Sequence, residues 1–136
     1  MIKLAIAPIG WTNDNLPELG GDIPFEQCIS EMALAGFQGC EVGSKYPKND
    51  LELLKKHLDI RGLSICNQWF SYRFMTKTLD QVKREFIKHL DFLKFFKAKI
   101  VGGAECGNAI YGQYHVPITE RKPATKNQWK KLTSGL

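Results

Sequence analysis

Four times along this chain a short apolar run gives way to turn residues and then to an amphipathic helical stretch. Residues 3–10, "KLAIAPIG", read as a strand that is apolar on both faces, the pattern of a parallel strand covered on each side. Pro24, expected in the first turn, opens a helix in which Phe25, Cys28, Ile29, Met32 and Gly36 recur at helical spacing, and Gly36 supplies the stop. "GCEVG", residues 39–43, is the second strand. Asn49-Asp50-Leu51-Glu52 then predicts a capping box in which Asn49 accepts from the Glu52 amide. The helix it opens carries Leu51, Leu54 and Leu58 and ends near Gly62. "LSICNQWF", residues 63–70, gives the third strand, and Leu79, Val82, Phe86, Leu90 and Leu93 mark the apolar stripe of a long third helix. "AKIVGGAE" is the fourth strand. After a loop from Cys106 to Ala124, Thr125-Lys126-Asn127-Gln128 predicts another capping box, starting a helix with Trp129, Leu132 and Leu136 on one face.

Strand and helix in strict alternation mean a parallel sheet, because parallel neighbours need a crossover, normally a helix. Two architectures compete. A doubly wound sheet usually carries a glycine-rich phosphate loop after its first strand, but here that loop is "GWTNDN", without GxGxxG or GxxxxGK[ST]. A TIM barrel instead brings the C-terminal end of every strand to one mouth, where the loops make the active site. The strand ends favour it, since they carry Trp11 with Asn13 and Asp14, Glu41, Asn67 with Gln68 and Trp69, and Glu105. Such a barrel takes about 250 residues and eight units. The expectation is therefore an α/β fold, a partial (β/α)8 barrel of about four units, with residues 1–136 forming the N-terminal half of the domain.

Composition narrows the function. With 43% hydrophobic and 24% charged residues the chain has the balance of a soluble globular protein. No apolar run approaches the roughly 18 to 20 residues that span a bilayer, and no signal peptide is recognisable, so the cytoplasm is expected. The net charge of +5 is scattered over several amphipathic segments without a stripe of basic and aromatic residues, which argues against nucleic acid as a partner. Cys28, Cys40, Cys66 and Cys106 form no CxxC pair and are expected to be free thiols, three of them in the core. His57 and His89 lie on helices beside the apolar stripes and His115 in the long loop; no HxxxH or His-carboxylate spacing suggests a metal site within the chain.

"IAPIGWTNDNLPELGG", "IPFEQCISEMALAGFQGCEVGSKYP" and "NQWFS" closely resemble the inosose dehydratases of inositol catabolism, within the xylose-isomerase-like TIM-barrel superfamily. The likeness runs from Ile2 to about Glu105, weakens through the fourth loop and returns in "NQWKKLTSGL". It implies a lyase that removes water from 2-keto-myo-inositol, giving a trihydroxycyclohexane-dione, with a divalent cation such as manganese or cobalt. In that superfamily the metal ligands come mainly from later strands, so the resemblance implies that they lie outside this chain. The chain alone is then expected to be inactive, and the partner is either a missing C-terminal half or another copy of the chain. Two further classes stay open: a sugar or sugar-phosphate isomerase or epimerase of the same superfamily, and a non-catalytic half-barrel binding module.

The candidate substrate-binding residues are Trp11, Asn13, Glu41, Gln68, Trp69 and Glu105. An indole packs on the C–H face of a polyol ring, and Asn13 or Asp14 beside it would meet the hydroxyls. Alternatively, Trp11 plugs the mouth while Asn13 and Asp14 satisfy turn amides. Glu41 sits within an apolar strand, where a carboxylate is costly unless paired or bound. Glu105 follows "GGA", small residues that let a substrate or a backbone approach closely. Along the third strand Asn67 and Trp69 share one face and Gln68 takes the other, with Gln68 and Trp69 expected nearest the mouth. Tyr111 and Tyr114 could belong to a lid.

Overall fold

A computed structural model describes residues 2–113 and 115–136. It divides into two compact units, Met1–Trp69 with Phe92–Val101, and Phe70–Asp91 with Gly102–Leu136.

In the first unit β1 (Ala5–Ile6), β2 (Gly39–Glu41) and β3 (Ser64–Asn67) form a parallel sheet in that order. The helices α1 (Phe25–Leu34) and α2 (Leu51–Asp59) connect them. The apolar positions that set the helical period also make the core: Cys28, Ile29 and Met32 from α1, Leu54 and Leu58 from α2, and Cys40 and Ile65 from the sheet. Full burial of a side chain such as Leu54 stabilises by about 1.5–3 kcal/mol, and this unit holds most of the buried residues. Gly36 (φ 88°) and Gly62 (φ 66°) adopt the left-handed conformation that ends each helix, as the sequence suggests.

The first strand is much shorter than its apolar run. Pro8 starts a 3-10 turn, Pro8–Gly10, and its carbonyl accepts from both Trp11 N and Thr12 N at 2.9 Å, so the chain leaves the sheet early. Nor is β1 covered on each face: Ala5 is exposed and only Ile6, its neighbour on the opposite face, is half-buried. The cap of α2 is displaced by one residue from the expected one. Asp50, not Asn49, has the extended backbone of an N-cap, and its carboxylate accepts from Leu53 N at 2.9 Å.

In the second unit β4 (Phe70–Tyr72) pairs in parallel with β5 (Gly103–Glu105). The third apolar run is thus two strands, β3 and β4, interrupted at Gln68 and Trp69. The fourth run contributes only its last three residues to a strand. The helix α3 (Leu79–Phe95) starts at an unforeseen capping box, in which Gln81 N donates to Thr78 Oγ1 and Thr78 N donates to Gln81 Oε1. Phe70 packs its ring against Tyr72, Phe86 and His89, with centroids 4.8, 5.1 and 5.0 Å away. The box opening α4 (Lys126–Gly135) forms as expected, with Thr125 and Gln128 exchanging both bonds. Its apolar face is not a buried one, because Trp129 is 55% and Leu136 89% exposed.

All strand pairs are parallel and each pair is joined through a helix, as in a partial (β/α)8 barrel, although β4 follows β3 without one; the described residues form open sheets, without a closed barrel. No described helix is long and apolar enough to cross a membrane.

Candidate functional site

Two polar side chains meet at the C-terminal edge of the first sheet. Asn67 Nδ2 donates to Glu41 Oε1 at 2.8 Å, with Asn67 buried and Glu41 half-buried. A register shift brings them together. Cys40 is opposite Ile65, yet Glu41 is opposite Asn67, so β3 carries one extra residue and Cys66 is passed over. Such a bulge re-aims the side chain next to it. Here it sets an amide donor beside the carboxylate, while Cys66 Sγ turns to the Cys40 carbonyl at 3.3 Å. A carboxylate held on one oxygen keeps lone pairs on the other for a hydroxyl or an acidic C–H.

The loop after β1 is held on several sides. The Trp11 indole N–H donates to Glu31 Oε2 on α1 at 2.6 Å, and its half-buried ring packs at the edge of the core. Gln27 donates to the other oxygen of Glu31 at 2.9 Å, and the two donors hold the Glu31 carboxyl below its ordinary value. Asn13 Oδ1 accepts from Asn15 N at 2.9 Å and Leu16 N at 3.1 Å, the turn role that was open to it from sequence. Asp14 accepts from Ser44 N at 3.1 Å and from the Ser44 hydroxyl, tying this loop to the one after β2.

Gln68 is half-buried and Trp69 is 54% exposed, both at the break between β3 and β4. In the second unit Glu105 is occupied on both oxygens. Phe74 N donates to Oε2 at 2.8 Å and Gly107 N to Oε1 at 2.6 Å. The small residues before Glu105 admit a backbone: a Cβ on Gly103 would stand 2.2 Å from the Phe70 carbonyl oxygen. Tyr111 is exposed, its hydroxyl 3.2 Å from Ser71 Oγ; Tyr114 lies outside the described residues.

Thiolate chemistry is disfavoured in the first unit. Burial pushes Cys28 up to about 11 and Cys40 up to about 12, and raises Cys66 and Tyr46 as well. All four thiols are free; Cys28, Cys40 and Cys106 are buried. His57 stacks edge-on to Phe25 at 5.4 Å, His89 lies among the rings of the second unit, and His115 is exposed. Among the described residues no three His, Cys, Asp or Glu side chains are gathered to hold a metal ion.

Two residues of this neighbourhood stood outside the sequence candidates. Asn67 had the strand position, but its partner depends on the bulge. Lys45 donates to the carbonyls of Gly20, Gly21 and Ile23 at 3.0, 2.8 and 2.6 Å. Its only sequence signal is its place just after the second strand.

Parallel strands with polar ends and helical returns define an α/β chain of the barrel type. No family model matches it. Curated proteins do. It is 54% identical over 136 residues to an inosose dehydratase of Geobacillus thermodenitrificans and to one of Bacillus thuringiensis. It is 53% identical over the same length to an inosose dehydratase 2 of Bacillus cereus. Each comparison covers 99% of this chain and 45% of the relative, so the chain spans about half the length of the curated relatives it matches. It is thus a homologue of the inosose dehydratases along nearly all of its own length.

Proposed function

We propose that this chain forms the N-terminal half of a carbon–oxygen lyase acting on an inosose, 2-keto-myo-inositol, which it helps to dehydrate to a trihydroxycyclohexane-dione. The observation that carries this reading is the 54% identity to proteins named inosose dehydratase, which extends across both strands that bear Glu41 and Asn67. The chemistry suits a carboxylate with one oxygen held. A ketone acidifies the neighbouring C–H; a base removes that proton, and an acid helps the adjacent hydroxyl to leave. In this reading Glu41, oriented by Asn67, faces the substrate at the proton-transfer step. Trp11, Asn13, Gln68, Trp69 and Glu105 belong to the substrate-binding surroundings. For Glu105 that role competes with the two amides it already accepts from.

A divalent cation such as manganese or cobalt would polarise the carbonyl when bound. The described residues do not gather a ligand set for it, so in this reading its ligands lie outside the chain. The chain then needs the remaining half of such an enzyme, or another copy of itself, to act.

The test joins residues 1–136 to the part of the Geobacillus relative that this chain does not match, and supplies manganese and 2-keto-myo-inositol. The chimera is expected to dehydrate the ketone and the 136-residue chain alone to leave it unchanged. Turnover by the chain alone would refute the division of labour. A folded, metal-loaded chimera without turnover would refute the lyase reading.

A further inference from the structure

From Trp11 to Ile23 the chain forms no helix or strand, yet this stretch carries Trp11 and Asn13, two of the residues placed in the substrate-binding surroundings. A segment without regular structure is costly to order, so groups outside it have to hold it. Its far end returns against its start: Gly20, at φ 75°, lies so close to Trp11 that a Cβ would fall 1.7 Å from the Trp11 carbonyl oxygen. There the carbonyls of Gly20, Gly21 and Ile23 converge, and Lys45 Nζ occupies the point they share, at 3.0, 2.8 and 2.6 Å. We infer that Lys45 is a positioning residue: its ammonium carries the fixed geometry of the core to the loop that bears Trp11 and Asn13, and so acts on substrate binding rather than on the proton-transfer step. The catalytic consequence rests on the lyase reading above; the ordering of the loop by the ammonium does not.

The clamp has a rigid base. Lys45 stands in the turn at residues 43–46, where Tyr46 N donates to the Gly43 carbonyl at 3.4 Å. Tyr46 is 4% exposed; its ring lies 4.6 Å from that of Phe25, and its hydroxyl donates to Met32 Sδ at 3.9 Å. Before the turn, Val42 is buried and its N–H donates to the Asn67 carbonyl at 3.1 Å. Lys45 itself is exposed, and an exposed lysine ordinarily leaves its charged head in water. Here the three protons of the ammonium go to three main-chain oxygens of a single loop.

The head group matches its cradle. An ammonium presents three donors from one atom, whereas a guanidinium spreads its donors over a planar fork and a thioether has none. The Gly20 carbonyl also accepts from Ile23 N at 3.1 Å, so one oxygen ties the loop both to itself and to Lys45. Charged donors make such bonds stronger than neutral ones. The bonds from Ser44 to Asp14 join the same two loops nearer the start of the segment, which leaves its far end to Lys45. Glu41, by contrast, takes its place from β2 and from Asn67. Loss of the clamp therefore lowers the fraction of molecules with an ordered loop, and the apparent affinity falls by that fraction while the step that follows binding is unchanged.

The test measures ¹⁵N relaxation of the 136-residue chain. Residues 13–23 are expected to show backbone order parameters of about 0.85, and to fall below about 0.6 in Lys45→Met, which keeps the stem and removes the donors, while the helices keep their values. Lys45→Ala is expected to behave as Lys45→Met. Added n-propylammonium, which supplies the head and stem that Lys45→Ala removes, should return the order; tetramethylammonium, a cation without N–H donors, should not. A loop as ordered in Lys45→Met as in the native chain would overturn the inference, and so would equal restoration by the two cations or none by n-propylammonium. In the chimera with the Geobacillus relative, Lys45→Met is expected to raise KM about tenfold and to change kcat by less than about twofold. A fall in kcat at unchanged KM would overturn the positioning role. A chimera without turnover would refute the lyase reading alone, and the relaxation data would still decide whether the ammonium orders the loop.

Discussion

Glu41 and Glu105 occupy equivalent places, each the last residue of a three-residue parallel strand, and the two units use them differently. Glu41 is held by one side-chain amide at one oxygen, above a core of aliphatic side chains and thiols that fixes the sheet without its help. Glu105 accepts from Phe74 N and Gly107 N, and so joins β5 to the loops on either side. A Cβ on Gly107 would stand 2.7 Å from Glu105 Oε1, so the glycine is what lets the carboxylate come this close. The second unit has few other means. Its sheet is two strands of three residues, a size that is marginal without further packing, and α4 buries no residue. Where apolar burial is ample the strand-end carboxylate accepts no backbone amide among the described residues; where burial is thin it is used to hold backbone.

The largest effect that would sharpen this contrast comes from the first core. Leu54 is fully buried, and Leu54→Ala removes its contacts and leaves a cavity, for a loss of about 2–5 kcal/mol in urea unfolding. Trp129→Ala, on the exposed face of α4, should shift the same curve by no more than about 0.5 kcal/mol. Equal losses from the two would mean that burial is shared evenly, and the contrast would fail.

Next in size is the pair of glutamates themselves. Glu105→Ala leaves two backbone amides without their acceptor and is expected to cost about 1–3 kcal/mol. Glu41→Gln keeps an oxygen for Asn67 Nδ2 and should cost less than about 1 kcal/mol, while removing the carboxylate to which the proposed lyase reading gives the proton transfer, so that the chimera is expected to lose turnover. A stable Glu105→Ala with an unstable Glu41→Gln would reverse the roles assigned here.

The contrast also explains what the sequence made legible. The helices of the first unit and the Thr125 capping box follow from residues within a turn of one another, and their positions were read nearly as they stand. The Asp50 cap missed by one residue because Asn49 and Asp50 are both good caps, and only the backbone shows which is extended. The pairing of Glu41 with Asn67 depends on a bulge between strands 26 residues apart, which no local pattern announces. The clamp of Lys45 ends on carbonyl oxygens, which every residue carries and no spacing marks. The split of the third strand escaped for a related reason: "LSICNQWF" is continuous in hydrophobicity, and the break is visible only in which neighbour each half pairs with.

The smallest expected effect concerns how Trp11 is held in the first unit. Glu31 is solvent-exposed and accepts from Gln27 and from the Trp11 indole, which lower its pKa from the ordinary 4.5. The folded state therefore binds this proton less readily than the unfolded chain. The contribution is fully present above 4.5 and is lost as pH falls through the lower folded value. The chain has three tryptophans, so the measurement uses a Trp69→Phe, Trp129→Phe background in which Trp11 alone fluoresces. Its emission should change with a midpoint below 4.5, without loss of far-ultraviolet helix signal, because the neutral acid is a weaker acceptor for the indole N–H. Glu31→Gln retains an acceptor that does not titrate and should abolish the step. A midpoint at or above 4.5, or a step that survives Glu31→Gln, would show that Trp11 is held by packing alone, and the first unit would then owe even less to its polar contacts than is argued here.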